Sequence, residues 1–390
     1  MTKTKTILVL ILALALIPLT ANATITRVMG FGGEGAAYII KDAYTPNIWP
    51  QLVANYPSLA GAEFNSAEGT WDFKKAYIDY DFGEDNGVLQ LSLDKLTARK
   101  YGMDYFDEMD ALMGNYNRLS AIYGRPMGDM LIGLGLNYAG KSYKSEEYVD
   151  GATTIPAVDA SYTTFGLRLG ASAIEKQLDL ALGFEMASFS DEEGGTVVAE
   201  NDGSMSVSFA GRFFKKMSDR YALIPNVKVN MMKDGVKGDG WSESASTTSF
   251  GLGLGNNWTP VENALAIFEL GVMSTSNKCE AESGGVSSET TDSKFDIYWR
   301  LGFESKIFGW LNGRLGAERS WVSSTLESEL GKPDIGYSST STYLGATMHW
   351  NRLFIDVLVA PQFLQAGPYF ISGMECNTFS RVSLFYKFAE

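Results

Sequence analysis

The chain has 390 residues, with 32 Lys and Arg against 46 Asp and Glu, one His, two Cys and a formal net charge of −14. Charged residues make up 20%, aromatics 13%, and Gly numbers 41, whereas a soluble domain averages about 25% charged and about 7% Gly. The acidity argues against a nucleic-acid binder, two Cys are too few for a disulfide-stapled miniprotein, one His leaves little for a zinc site, and the aromatic content does not fit disorder.

Lys3 and Lys5 precede an unbroken apolar run from Ile7 to Ile17, and Ala21-Asn22-Ala23 then supplies small residues. That order is a secretory signal over residues 1–23, with cleavage expected after Ala23. The run is too short to span a bilayer, which takes about 20 residues. No Cys follows it, so lipoprotein processing is not indicated. No later apolar run approaches membrane-helix length, so the exported chain is either soluble or a membrane β-barrel.

Residues 24–57 do not read as strands, because Pro46, Pro50 and Pro57 interrupt them and Gly30-Phe31-Gly32-Gly33-Glu34-Gly35 is glycine-dense. No strand precedes and no helix follows those glycines in the way a phosphate-binding loop requires. Met29-Gly30-Phe31-Gly32-Gly33, Asp42 and Asn47…Pro50…Leu52 resemble the N-terminus of the long-chain fatty-acid transporter family. That family begins with a Met-Gly-x-Gly-Gly-Ala-like stretch, an acidic residue, then Asn-Pro-Ala-x-Leu; the Asn–Pro spacing differs here. The resemblance implies that residues 24–57 form a hatch within or beneath a barrel lumen, and that the barrel carries hydrophobic molecules.

From residue 58 to residue 390 the pattern changes to period two. Leu89, Leu91 and Leu93 alternate with Gln90, Ser92 and Asp94; Phe295, Ile297, Trp299, Leu301 and Phe303 alternate with Asp296, Arg300, Gly302 and Glu304. Successive side chains of a strand point to opposite faces, so each segment has one apolar face and one polar, Gly-rich face. Sixteen segments follow, near 58–66, 72–82, 87–95, 115–124, 130–140, 161–170, 178–189, 204–214, 220–230, 247–257, 264–274, 294–304, 310–319, 341–350, 352–362 and 379–388. Most run about 9–11 residues, the length of a tilted strand crossing hydrocarbon, against about 5–6 for ordinary strands. Tyr123, Trp258, Trp310 and Trp350 mark one set of segment ends and Tyr138, Tyr162, Phe189 and Phe363 the other, as in the aromatic girdles of outer-membrane barrels.

Connectors alternate in length. Short ones lie at 83–86, 125–129, 171–177, 215–219, 259–263, 305–309 and Asn351; long ones at 96–114, 141–160, 190–203, 231–246, 275–293, 320–340 and 363–378. Short periplasmic turns and long extracellular loops are the bacterial outer-membrane arrangement, and an even strand count places both termini in the periplasm. The long connectors are acidic at Glu146-Glu147, Asp191-Glu192-Glu193, Glu280 and Glu282; they form a solvated surface, or bridge to lipopolysaccharide through divalent cations. Val382, Leu384, Tyr386 and Phe388 share one face of the last segment and resemble the C-terminal signal read by barrel-assembly machinery, with Ala389 and Glu390 following the usual terminal aromatic.

The polar face carries Asp79, Arg118, Arg168, Asp179, Glu185, Arg212, Lys228, Glu269, Asp296, Arg300, Glu304, Arg314 and Glu318. These either pair across neighbouring strands or set a charged constriction. His349 falls on the same face beside the turn at Asn351, the wrong end for an outer-membrane hydrolase, and reads as structural. Cys279 and Cys376 both fall in long connectors on one side, where a disulfide between them is permitted.

The sequence therefore predicts an all-β, closed antiparallel transmembrane barrel of about 16 strands, 14 being the alternative. It predicts a bacterial outer-membrane location with lipid, lipopolysaccharide, assembly machinery and small solutes as partners. No cofactor, metal site or nucleic-acid partner is expected, and monomer and trimer are both open. The expected function is passive or facilitated passage of small solutes, porin-like and not enzymatic. A plugged barrel carrying hydrophobic molecules and a non-transport surface protein or adhesin are the alternatives.

Overall fold

The computed structural model describes residues 24–67, 70–83, 85–97, 115–150, 153–328, 331–366 and 378–388. The proposed signal segment and Cys376 lie outside them. Sixteen antiparallel strands close a barrel: β1 Leu59–Ala67, β2 Thr70–Asp81, β3 Val88–Thr97, β4 Asn115–Met127, β5 Met130–Ser145, β6 Val158–Ala173, β7 Leu178–Glu193, an interrupted β8 (Thr196–Asn201, Met205–Phe213, Lys215–Ser218), β9 Tyr221–Gly238, β10 Trp241–Trp258, β11 Ala264–Ser283, β12 Val286–Phe308, β13 Leu311–Glu327, β14 Asp334–Trp350, β15 Leu353–Val359 and β16 Phe379–Lys387. Each strand pairs with the next, and β16 returns to β1 from Leu59↔Lys387 to Asn65↔Arg381. A two-strand ribbon, Tyr148–Asp150 with Thr153–Ile155, lies in the connector between β5 and β6. Among the described residues no helix is long and apolar enough to cross a membrane.

The alternation sorts the two faces. Leu91, Leu136, Leu182, Leu252, Leu254, Leu270, Phe295, Ile297 and Leu315 are all exposed on the outer wall, while their neighbours in sequence turn inward. An apolar wall open to water around its whole circumference would be strongly unfavourable, so these side chains mark the band that hydrocarbon covers. Trp258, Trp310 and Trp350 are also exposed on the short-turn rim.

Three expectations are corrected. The connectors at 190–203, 231–246 and 275–293 are largely strand: β9 and β10 run to a turn at 239–240, and β11 and β12 to a turn at Gly284 and Gly285. Apolar alternation stops at the edge of the hydrocarbon band, but Ser- and Thr-rich chain keeps pairing beyond it, so a hydrophobic period ends too early. Cys279 accordingly sits in β11, paired with Ala245 and Thr290, as a free thiol. Burial and the Glu243 carboxylate push that thiol up from its ordinary pKa. Lastly, Phe189 is not a girdle residue but is buried with Ala160, Ala199 and Val236. Phe363 lies in a helix, α2, Pro361–Ala366, because β15 ends at Val359 rather than running to residue 362.

Turn chemistry explains the short rim. Asn263 and Asn351 adopt φ +64° and +57°, a region Asn tolerates. Pro225, within β9, stands where the β8 ladder lapses; there Phe214 donates its N–H to the Gln177 carbonyl at 2.8 Å instead. A strand proline is tolerated only where no ladder bond is required of it.

Residues 24–57 occupy the bore. The helix α1, Ile25–Gly30, packs on β13 to β16, and the 3-10 turn Pro50–Asn55 packs on β3 to β6. Between them Ile39 and Ile40 pack with Ile224 of β9 and Ile267 of β11. The segment thus reaches opposite arcs of the wall.

Candidate functional site

The plug is a compact irregular segment with an apolar interior. Val28, Phe31, Ala36, Ala37, Ile39, Trp49, Leu52 and Val53 are fully buried; each large one contributes roughly 1.5–3 kcal/mol on burial. Thr24 caps α1 by accepting from the Arg27 N–H at 3.4 Å, and its hydroxyl donates to Asp356 at 2.7 Å. Pro46 and Pro50 stand in first turns, where a missing N–H costs nothing. Gly32 and Gly33 turn the chain at φ +105° and +93°; a Cβ on Gly32 would stand 2.6 Å from Arg300 Cγ.

The wall is carved to receive this backbone. A Cβ on Gly302 would stand 2.7 Å from the Phe31 carbonyl oxygen, one on Gly316 2.5 Å from that of Gly30, and one on Gly124 2.8 Å from Val53. Gly133 and Gly170 lie in the same way against Gln51. The glycine-rich inner face is therefore a mould for the plug.

Buried ion pairs fasten it. Arg27 donates to Glu304 at 2.7 and 2.8 Å and to Asp42 at 2.8 Å; Arg314 donates to the same Glu304 at 2.5 Å and to Asp356 at 3.1 Å. Arg300 donates to the Gly32 carbonyl at 2.6 Å, to Glu318 at 2.8 Å and to Glu269. Arg212 donates to Asp179 at 2.9 Å and to the Ala37 and Ile40 carbonyls at 2.8 and 2.7 Å. Arg168 reaches the Asn47 carbonyl at 2.6 Å, and Lys228 lies 4.0 Å over the Tyr38 ring. Arg300 and Arg212 thus bind carboxylates across strands and plug carbonyls across the bore at once.

The other sequence-predicted charges lie on the same inner face. Asp79 accepts from Gln90 at 2.8 Å, and Arg118 meets Asp94 at 3.4 Å. Glu185 stands opposite Gly166 and Ser206, and Asp296 opposite Met273 and Val322. The sequence reading did not single out the plug's own Arg27 and Lys41, or wall residues Lys75, Asp94 and Asp356, as site charges; Asp42 it named only as the acidic residue of the family resemblance. Asp356 was discoverable as the lone acid in the apolar run Leu353–Val359; the plug charges, in an aperiodic segment, carried no such signal. His349 rests edge-on against Phe354 at 5.0 Å near the short-turn rim. No cluster of His, Cys, Asp and Glu able to hold a metal occurs among the described residues. Val382, Leu384, Tyr386 and Phe388 follow one another along β16 and its end, the last three exposed on the outer wall.

On the long-hairpin side of the plug lies a cavity of about 330 Å³. Tyr38, Asn47 and Ile48 of the plug line it, with Arg168, Ser208, Lys228 and Met273 from the wall. It combines apolar surface with two cationic groups, the makings of a small-solute site.

Fold and site together define a closed 16-stranded β-barrel with an internal N-terminal plug. Solved structures to which the chain is similar include the copper transporter OprC (TM-score 0.40, 11% identity, 77% of this chain and 44% of that one), CdiB from Acinetobacter baumannii (0.42, 9%, 84% and 59%), and LpxR from Salmonella typhimurium (0.27, 12%, 85% and 100%). The chain spans about half the length of the first and of CdiB. No protein-family model matches the chain, and no curated protein matches it, so the likeness of residues 24–57 to the fatty-acid transporters stands on the quoted residues alone.

Proposed function

We propose that the protein is an outer-membrane barrel that passes small amphiphilic solutes inward past its plug, a gated transporter rather than an open porin. The observation that carries this is the plug. A barrel of 16 strands has a bore wide enough for an aqueous channel, yet residues 24–57 cross it with Trp49, Phe31 and Leu52 fully buried. The solute would enter from the long-hairpin rim and rest in the cavity over Tyr38 and Ile48. Arg168 and Lys228 would favour an anionic group there, and Ile48 and Met273 an apolar one. Passage inward requires the plug to shift. The outer-membrane location rests on the apolar outer band, the rim of tryptophans and the sequence's export signal. Nothing in the site calls for covalent chemistry.

Conductance across planar bilayers tests the reading. Intact protein should give small or no ionic steps, and a chain lacking residues 24–57 should give large stable ones. Because a deletion can impair folding, Arg300→Ala with Arg212→Ala serves as a second variant, which should raise conductance from a folded barrel. Large steady steps from intact protein would restore the open-porin reading.

A further inference from the structure

We propose that the outer wall over β2 to β6 holds a phosphorylated lipid of the outer leaflet, with its phosphate on Lys74 and Lys95 and an acyl chain in the groove beneath them. The register sets two adjacent rows around the wall. One is apolar: Ala76, Leu93, Leu119, Tyr138 and Phe165, aligned through the pairings of Ala76↔Leu93, Leu93↔Leu119, Leu119↔Tyr138 and Tyr138↔Phe165. The row next toward the long-hairpin rim is polar: Lys74, Lys95, Asn117, Gly140 and Thr163. The boundary between them is where headgroups meet hydrocarbon.

Three features make this stretch unlike a plain wall. First, Ala76 and Ala121 set a dent among larger neighbours, a groove of about 760 Å³ lined also by Ile78, Leu91 and Leu136. Second, Lys74 and Lys95 share one carboxylate, Asp72, at 2.9 and 2.6 Å, so two ammonium groups converge with a local charge of +1 on a chain whose net charge is −14. Third, Tyr138 lifts its hydroxyl out of the apolar row: a Cβ on Gly140 would stand 2.9 Å from it. The bare glycine leaves a notch beside a phenolic donor, at the level of the lysines. An acyl chain fits the dent, and a phosphate dianion fits the two ammoniums, each a charge-assisted contact; the Tyr138 hydroxyl, on β5 and so two strands from Lys95 and three from Lys74, is left for a second polar group of the same headgroup. Because this is the long-hairpin rim, the leaflet is the outer one and the occupant is lipopolysaccharide through its lipid A moiety. The site engages phosphate directly, unlike bridging through metal ions to the acidic hairpins. It rests on the outer-membrane placement and is independent of plug-gated transport.

Native mass spectrometry of the full-length barrel in detergent tests it, using bis-phosphorylated lipid A and the same lipid with both phosphates removed as probes. The intact protein should retain the phosphorylated probe at least about tenfold more tightly than the dephosphorylated one. Lys74→Gln with Lys95→Gln should abolish that preference, and Ala121→Phe should weaken both probes. Mobility on unheated gels verifies that each variant is folded, and conductance should stay as in the intact protein. Equal binding of the two probes, full retention by the double lysine variant, or loss of binding on EDTA treatment alone would each overturn the proposal.

Discussion

At the scale of single residues, the bore depends on arginines that serve two masters. Arg300 neutralises fully buried Glu269 while holding the Gly32 carbonyl. Removing it strands a carboxylate in a water-poor site, which costs about 3–5 kcal/mol. Arg300→Met should therefore lower the temperature at which the folded band disappears on gels, and adding Glu269→Gln should recover most of the loss. A single variant as heat-resistant as the parent would show that the pair contributes little. Ile174 offers the opposite case. With Glu175 and Lys176 it adopts positive φ, +52°, +55° and +64°, and a β-branched residue there is strained by about 1–2 kcal/mol. Lys41 of the plug donates to the Lys176 carbonyl at 2.7 Å, so the strained turn abuts the plug. Ile174→Gly should raise thermal stability; a lower midpoint would mean the turn needs its isoleucine for packing. Such details were not legible in the sequence. The charges Arg212, Arg300, Glu304 and Arg314 were readable as bore-facing from parity, but the plug carbonyls that Arg212 and Arg300 hold and the Arg27 guanidinium that Glu304 accepts from were not, since an aperiodic segment has no parity to read.

At the scale of elements, the strands divide into a band and an extension. In β10 the exposed outer residues Phe250, Leu252, Leu254 and Trp258 belong to the band, whereas Trp241–Ser249 is polar. Leu254→Arg should destabilise the barrel by roughly 2–4 kcal/mol, as charge does at mid-membrane depth. A substitution of similar size at Ser244, on the protruding hairpin, should be near neutral. Equal effects at the two positions would argue that the wall does not meet lipid. The protruding part of β11, Ser274–Ser283, reaches roughly 30 Å at about 3.3 Å per residue. Hydrophobic alternation located every strand of the barrel, yet it stopped short on these hairpins because pairing continues where the solvent changes from hydrocarbon to water.

At the scale of the whole molecule, closure and orientation are linked. β1 and β16 zip together beside β15, and the long hairpins share one rim. In a chain whose native Cys279 and Cys376 are replaced by serine, a cysteine placed at Gly284 should react with a membrane-impermeant maleimide on intact cells, and one at Asn351 should react only after the cells are opened. The reverse pattern would invert the barrel and with it the direction of transport proposed here.

The amino-acid sequence alone narrowed the strand number to about 16 with 14 as the alternative, and determined the inner and outer face of each strand and the rim on which the long connections lie, because these follow from local alternation and turn residues. Only the tertiary structure decided that residues 24–57 fill the bore, that the inner glycines are a mould for them, and that Arg27, Asp42 and Asp356 complete the ionic fastening. Those facts depend on contacts between residues hundreds of positions apart, such as Thr24 with Asp356, and no periodicity along the chain encodes which distant carbonyl an arginine will meet.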